Sequence, residues 1–110
     1  MKLSKVESLL GLAMKSGNVV GGGYAVEEAI RSGKALLVVI ATDSSDGTRK
    51  RLKDKCGFYQ VPFVEYGTRE SLGCATGKGM RASLAISDYN FAKAVCAQID
   101  QTGEQMEGAE

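Results

Sequence analysis

Glycines cluster at two places in the sequence, and each cluster adjoins a predicted helix. Residues 21–23 are three glycines between the β-branched pair 19–20 and an amphipathic pattern that begins near Ala25. Gly73 and Gly77 lie four residues apart at the end of a short helix-like segment. Backbone without side-chain bulk lets a large ligand approach closely, and N–H groups at a helix N-terminus attract anions. We therefore expect the two loops to converge on a ligand with a phosphate backbone.

Neither loop completes a nucleotide-cofactor motif. The third glycine position of a dinucleotide fingerprint is Val26, and Lys78 is followed by Gly79 instead of the serine or threonine of a P-loop. The segment 77–81 still combines two cations with the thioether of Met80, which suits contact with phosphates and with an unstacked base. For each loop taken alone, an ordinary connection between packed elements is the alternative.

The amino-acid composition argues against an enzyme. The sequence has no histidine, and its three cysteines, Cys56, Cys74 and Cys96, form no C-x-x-C pair. The commonest general base, the commonest zinc ligand and a dithiol site are thereby missing. A nucleophilic Cys74 beside the glycine loop is the enzyme alternative, although no base accompanies it. We predict a protein that is not an enzyme and that uses no cofactor, no metal and no small-molecule substrate.

Length and patterning predict one domain over residues 1–101. A chain of 110 residues can bury its own core. Residues 102–110 lack an apolar period and are predicted to form a disordered acidic tail. No apolar run reaches the ~18 residues of a membrane span, and Lys5 and Glu7 interrupt the N-terminal pattern. We expect a cytoplasmic protein with no membrane partner.

Charge divides the chain into a basic body and an acidic end. Residues 1–87 hold 13 Lys and Arg against 8 Asp and Glu, whereas residues 88–110 hold one Lys against five acids. A mildly basic body suits phosphate neutralisation. Much of the excess lies in residues 49–55, where cations surround most of one predicted helix, so we expect a solvated face that adds only long-range attraction to a polyanion.

Helix and strand signals alternate along the chain. Ser4 begins a capping-box pattern, and residues 35–41 are apolar throughout, as in a strand buried on both faces. The fold class predicted is α/β, a three-layer α/β/α sandwich around a mixed sheet of four strands. The first predicted helix begins at the Ser4 capping box and is stopped by residues 16–18. The other predicted helices are 25–31, 48–56 (closed by Gly57), 68–72 and one capped by residues 87–88 that ends near Gln101; the predicted strands are 19–20, 35–41, 61–64 and 84–86.

Residues 16–87 resemble a known family through five pieces that occur in its order. The matching pieces are 22–33, 35–43, 56–62, 72–77 and 82–86. Through them the chain is similar to the superfamily of large-subunit ribosomal proteins seven-Ae and thirty-e, which bind kink-turn RNA, and it resembles the bacterial YlxQ branch more closely. The resemblance implies the same sandwich, with the second-helix N-terminus in the widened groove of an RNA kink and the loop after Gly77 over a protruding nucleotide.

Three positions depart from the pattern of the family's strong RNA binders. Where these carry asparagine, glutamate and lysine, this chain has Tyr24, Ala25 and Glu28. Alanine cannot hydrogen-bond a base edge, and Glu28 would repel phosphate. A protein-interaction module on the same fold, without specific kink-turn recognition, is therefore the alternative function.

The function predicted is non-catalytic binding of structured, kink-turn-like RNA, associated with the ribosome or translation. Ribosomal RNA or another kink-turn RNA is the expected partner, and the ribosome a further one. Backbone amides would meet phosphates, Tyr24 would stack on a nucleotide, and the second loop would close over an unpaired base. The predicted RNA-binding residues are Gly22, Gly23, Tyr24, Glu28, Lys78, Gly79, Met80 and Arg81.

Overall fold

The computed structural model describes residues 4–102 and 106–107. Its helices alternate with strands along the chain, as the sequence predicts. The helices are α1 (Lys5–Lys15), α2 (Gly23–Arg31), α3 (Asp46–Tyr59), α4 (Arg69–Ala75) and α5 (Tyr89–Thr102). The strands are β1 (Val19–Gly21), β2 (Leu37–Ile40), β3 (Phe63–Glu65), β4 (Ser83–Ile86) and β5 (Met106–Glu107).

The strands form one mixed sheet in the order β1-β4-β2-β3-β5. β2 and β3 are parallel, with Val38 opposite Phe63, and the other neighbouring pairs are antiparallel. The predicted mixed sheet of four strands is confirmed in β1 to β4, and the two-residue β5 lies on its edge. Because β1 pairs with β4, the ends of two connections that are far apart in the sequence meet at one corner.

Two apolar clusters hold the helices on opposite faces of the sheet. Side chains alternate along β2, so that Leu37 and Val39 pack with α1, α4 and α5, whereas Val38 and Ile40 pack with α2 and α3. All four are buried. The prediction of a strand covered on both sides is confirmed, and burial of apolar surface against both helical layers is the main stabilising term.

Local capping signals explain most of the helix ends. Ser4 caps α1 in a full capping box with Glu7, and Thr68 caps α4. The predicted end of α3 at Gly57 is wrong, because the helix continues to Tyr59 and turns at Gln60 in the left-handed conformation (φ 60°, ψ 46°). The backbone N–H of Val61 closes this turn on the carbonyl of Cys56, at 2.8 Å.

The structure differs from the predicted disordered tail at three residues. Thr102 belongs to α5, and Met106 and Glu107 pair with Val64 and Phe63 of β3. The outer edge of β3 offers unpaired backbone groups, so an adjacent segment pairs there without needing an apolar pattern of its own. The rest of the predicted tail, 103–105 and 108–110, lies outside the described residues.

None of the helices in the described ranges has the length and apolar character required to span a lipid bilayer.

Candidate functional site

The turn between β1 and α2 and the loop before β4 meet at one corner of the molecule. The N–H of Gly22 donates to the carbonyl of Ser83 at 3.4 Å. The side chain of Arg81 lies across the turn, because a Cβ on Gly21 would stand 2.9 Å from both Cδ and Nε of Arg81. A Cβ on Gly22 would lie 3.9 Å from the arginine Nη1. We call the surface formed by residues 22–24 and 78–81 the loop junction.

Gly22 leaves the N-terminus of α2 open to a ligand. It is the N-cap residue at φ 95° and ψ 148°, a backbone conformation that favours glycine. It supplies no side-chain cap, and a Cβ on Gly23 would meet no atom within 4 Å in the described part of the chain. The first N–H groups of a helix have no intrahelical acceptor and attract negative charge. Since α2 begins two residues before the predicted Ala25, the first helical N–H is that of Gly23, within the glycine segment.

The loop 77–81 rests directly on α4. A Cβ on Gly73 would stand 1.9 Å from the carbonyl oxygen of Gly79, so only glycine permits this approach. The N–H of Lys78 donates to the carbonyl of Gly73 at 2.8 Å, and Gly77 turns the chain at φ 72°. Gly73 is buried. The expectation that Gly73 faces a ligand is therefore wrong: its missing side chain makes room for the loop.

The loop junction presents two large apolar side chains to solvent. Tyr24 is 85% exposed and Met80 is 60% exposed. Neither side chain belongs to a buried core cluster, so neither has a packing role in the hydrophobic core. One side chain comes from each loop: Tyr24 lies in the first turn of α2, and Met80 directly precedes Arg81, so each loop offers apolar surface to a ligand.

The two cations of the loop junction have no ion pair with any other described residue. Lys78 is exposed, while Arg81 is half-buried and its Nε finds no hydrogen-bond acceptor within residues 4–102. Buried donors are normally satisfied. The guanidinium of Arg81 therefore carries a positive charge that no described carboxylate balances.

The cations of the basic helix α3, in contrast, form ion pairs with nearby carboxylates. Arg49 donates to Asp46 at 2.7 Å and to Glu65 at 3.2 Å, and Arg51 donates to Glu27 at 2.8 Å. Much of the positive charge predicted from residues 49–55 is therefore balanced locally. The further ion pairs on this helix are Lys50–Asp54, Lys53–Glu65 and Lys55–Glu27.

Glu28 lies one turn after Tyr24 on α2, and its carboxylate is paired. Arg31 donates a hydrogen bond to this carboxylate and lowers its pKa, with Coulombic attraction from Arg31 acting in the same direction. The expected repulsion between Glu28 and phosphate is reduced by this partner. The structure thus places Glu28 on the flank of the loop junction, as half of an exposed ion pair.

The cysteines occupy three different environments. Cys74 is exposed on α4, Cys96 is half-buried, and Cys56 is buried in the core, where desolvation raises the pKa of its thiol to about 11. Within the described ranges, no group of three or more His, Cys, Asp or Glu side chains is arranged to hold a metal ion.

Comparison with known proteins decides the family. The model of the ribosomal protein L7Ae/L30e/S12e/Gadd45 family matches residues 4–96. The chain belongs to this family. Among members and relatives, "RNA-binding protein YlxQ" of Bacillus subtilis is 38% identical over 92 residues, which cover 84% of this chain and 92% of that protein. "Large ribosomal subunit protein eL30" of Methanosarcina mazei is 33% identical, covering 80% and 82% of the two chains.

Solved structures of similar proteins share the L7Ae/L30e sandwich. "The structure of a protein with unknown function from Bacillus halodurans C" superposes with a TM-score of 0.84 at 38% identity, covering 87% of this chain and 97% of the other. "Giardia lamblia 15.5kD RNA binding protein" gives a TM-score of 0.71 at 22% identity, covering 93% and 90%. The latter likeness shows the fold.

In this member of the L7Ae/L30e family, Asp43 and Arg69 support the loop junction, although the sequence alone does not indicate either as a site residue. The carboxylate of Asp43 accepts the N–H of Arg69 at 2.8 Å, and the carbonyl of Arg69 accepts the N–H of Arg81 at 3.0 Å. The three residues belong to different connections, so no local pattern links them. The match of Asp43 to a family piece is the only sequence signal that could have drawn attention to it.

Proposed function

We propose that this protein binds structured RNA at the loop junction and catalyses no reaction. The observation that carries the proposal is the convergence of an open helix N-terminus with the unpaired cation Arg81, which lies across Gly21 and Gly22. An anion placed there would meet backbone N–H groups and a guanidinium together. A phosphate in a folded RNA fits this chemistry.

Each side chain of the loop junction then has a role. Arg81 neutralises a phosphate at the open α2 terminus, and Lys78 neutralises a phosphate that contacts the second loop. Tyr24 and Met80, both exposed, offer apolar surface to a base that has left its stack. The carbonyl of Gly79 lies against Gly73, which keeps the second loop close to α4.

The names of the relatives support RNA as the partner. Two relatives from different bacteria are called "RNA-binding protein YlxQ", and others are called "Large ribosomal subunit protein eL30". We therefore propose a ribosomal RNA or another kink-turn RNA, association with the ribosome or translation, and a cytoplasmic location.

Titration of two RNAs of equal length tests the proposal. Fluorescence anisotropy at about 50 mM salt would compare a kink-turn duplex with an uninterrupted duplex, since phosphate contacts are strong at low salt. We expect tighter binding to the kink-turn RNA. Equal, weak binding to both would remove the kink-turn specificity, and binding to neither would remove the proposed function.

Variants that remove one positive charge test whether RNA binds at the loop junction. Lys78→Gln and Arg81→Gln each remove one proposed phosphate contact, which should weaken binding and flatten the plot of log K against log salt by about one unit. Lys93→Gln is the matched control, because Lys93 is an exposed cation of α5, on the face of the sheet opposite α2. An equal loss with Lys93→Gln would show that only overall charge matters.

A protein-interaction module is the second candidate function. It is favoured by Tyr24 and Ala25, which replace polar groups, and by Glu28, whose carboxylate is already paired with Arg31. A tyrosine with 85% exposure also suits a protein interface. Recovery of a stoichiometric protein partner from RNase-treated extract, together with absent RNA binding, would support this candidate over the first.

A further inference from the structure

Exposed aromatic rings continue beyond the loop junction along α2 and α3. Tyr24 stands at the start of α2, and Phe58, 79% exposed, stands at the end of α3 beside Tyr59. The rings of Phe58 and Tyr59 are in edge-to-face contact, with centroids 4.9 Å apart and planes at 78°. A large aromatic ring left in water on a helix surface offers area for a partner.

Two adjoining depressions connect these rings. One, of about 140 Å³, is lined by Tyr24, Arg31 and Lys55, among others. The other, of about 650 Å³, is lined by Lys55, Phe58 and Tyr59, among others. Lys55 forms a wall of both, so the surface is continuous from the loop junction to the end of α3. We call this surface the α2–α3 track.

Cations lie between the aromatic rings of the track, in exposed ion pairs. Arg31 pairs with Glu28, and Arg51 pairs with Glu27 at 2.8 Å. Exposed pairs of this kind contribute little free energy, so a phosphate can compete for the cation. Four cations against three carboxylates leave a small positive excess. The cations are Arg31, Lys50, Arg51 and Lys55, and the carboxylates are Glu27, Glu28 and Asp54.

We propose that the α2–α3 track binds an unpaired RNA strand that leaves the structured element held at the loop junction. This inference rests on the proposed function. Phe58 and Tyr59 supply ring faces on which bases stack, and Lys55 neutralises the phosphate between them. Stacking on aromatic rings combined with a cationic path is how proteins hold single-stranded nucleic acid without reading its sequence.

Continuity with the loop junction favours RNA over a protein as the occupant. Tyr24 belongs to both surfaces, and Arg31 lies seven positions further along α2, a rise of about 10 Å. An RNA docked at the α2 N-terminus therefore needs only a short extension to reach the rings of α3. A mixed, nearly neutral set of charges between rings also suits a strand that is held mainly by stacking.

The test compares two forms of one kink-turn RNA, with and without a short uridine extension, placed in turn at each free end. For the wild-type chain, we expect one of the extensions to raise affinity about five-fold or more, the lower end of the contribution of one stacked base. Phe58→Ala should bring this gain below about two-fold. It should leave affinity for the trimmed RNA unchanged, because Phe58 lies outside the loop junction.

Two further variants separate stacking from other effects. Phe58→Tyr keeps a ring and should keep the gain. Leu12→Ala removes an exposed side chain of α1, on the other face of the sheet, and should also keep the gain. Thermal unfolding of each variant confirms that the fold is retained, which we expect because both parent side chains are more than half exposed.

The outcomes distinguish this inference from the proposed function. Affinity for the trimmed RNA tests the loop junction alone, and the gain from the extension tests the track. Trimmed RNA bound with no gain from either extension would overturn the inference and leave the proposed function standing. A gain that survives Phe58→Ala would overturn it as well.

Discussion

Gly73→Ala tests whether close packing of α4 against the loop 77–81 shapes the loop junction. The new Cβ would stand 1.9 Å from the carbonyl oxygen of Gly79, whereas real contacts of this kind are essentially never under 3.0 Å. The loop backbone must therefore move by about 1 Å or more. Overpacking of a well-packed interior costs about 1–3 kcal/mol. The higher helix propensity of alanine returns at most about 1 kcal/mol.

We expect the free energy of unfolding to fall by about 1–2 kcal/mol on balance. For a domain of this size, the midpoint of thermal unfolding should fall by about 5–15 °C. Chemical unfolding in urea, followed by circular dichroism, gives the free energy, and a thermal scan gives the midpoint. Affinity for the kink-turn RNA should fall too, because Gly79 and Met80 move with the loop.

Gly57→Ala is the matched control, since it makes the same substitution in a helix where there is room. A Cβ on Gly57 would meet no atom within 4 Å among the described residues, and Gly57 is exposed in the last turn of α3. We expect a gain of about 0.5 kcal/mol from helix propensity and no change in RNA affinity. If Gly73→Ala proved as stable as Gly57→Ala, the close approach of loop and helix would be refuted.

Three further predictions concern backbone strain, pH dependence and thiol chemistry. Gly22→Ala should lower the free energy of unfolding by about 1–3 kcal/mol through its φ of 95°, although space for the Cβ exists; a urea curve unchanged from the wild type would contradict this. The hydrogen bond from Lys53 contributes most to lowering the pKa of Glu65 in the folded state. The stabilisation of the fold by the Glu65 carboxylate is therefore present above the unfolded pKa near 4.5, and it is lost as pH falls through the lower folded pKa. Glu65→Gln should therefore reduce stability at pH 7 and have a smaller effect in acid, and urea titrations at several pH values would reveal an opposite trend. Iodoacetamide at neutral pH should modify exposed Cys74 no faster than a free thiol and leave Cys56 unmodified, because burial raises the pKa of Cys56 to about 11; mass spectrometry showing rapid reaction at Cys74 would revive a catalytic role.

Local signals in the sequence were sufficient for the element order and most helix starts. Ser4 and Glu7 close their capping box within a single turn, and the apolar run 35–41 places a strand between two helical layers. The end of α3 was not predictable in this way. Gly57 is a common stop signal, but the left-handed turn that ends the helix falls at Gln60.

The sequence also indicates the residues of the loop junction, but it does not explain how they come to lie together. Both the glycine segment and Arg81 were predicted to contact a ligand, and the antiparallel pairing of β1 with β4 brings them together. Only the structure explains why residue 73 is a glycine, because Gly79 contacts Gly73 from across a turn. No spacing rule predicts that distance.

The sequence by itself determined the layered α/β architecture, the family and the identity of the two loops, because periodicity, caps and glycine patterns act within a few neighbouring residues. Only the tertiary structure decided which charges are free. Glu27 pairs with Arg51 across 24 residues, whereas Lys78 and Arg81 find no carboxylate in the described part of the chain. Electrostatic balance depends on distances between side chains in space, and the order of residues does not specify those distances.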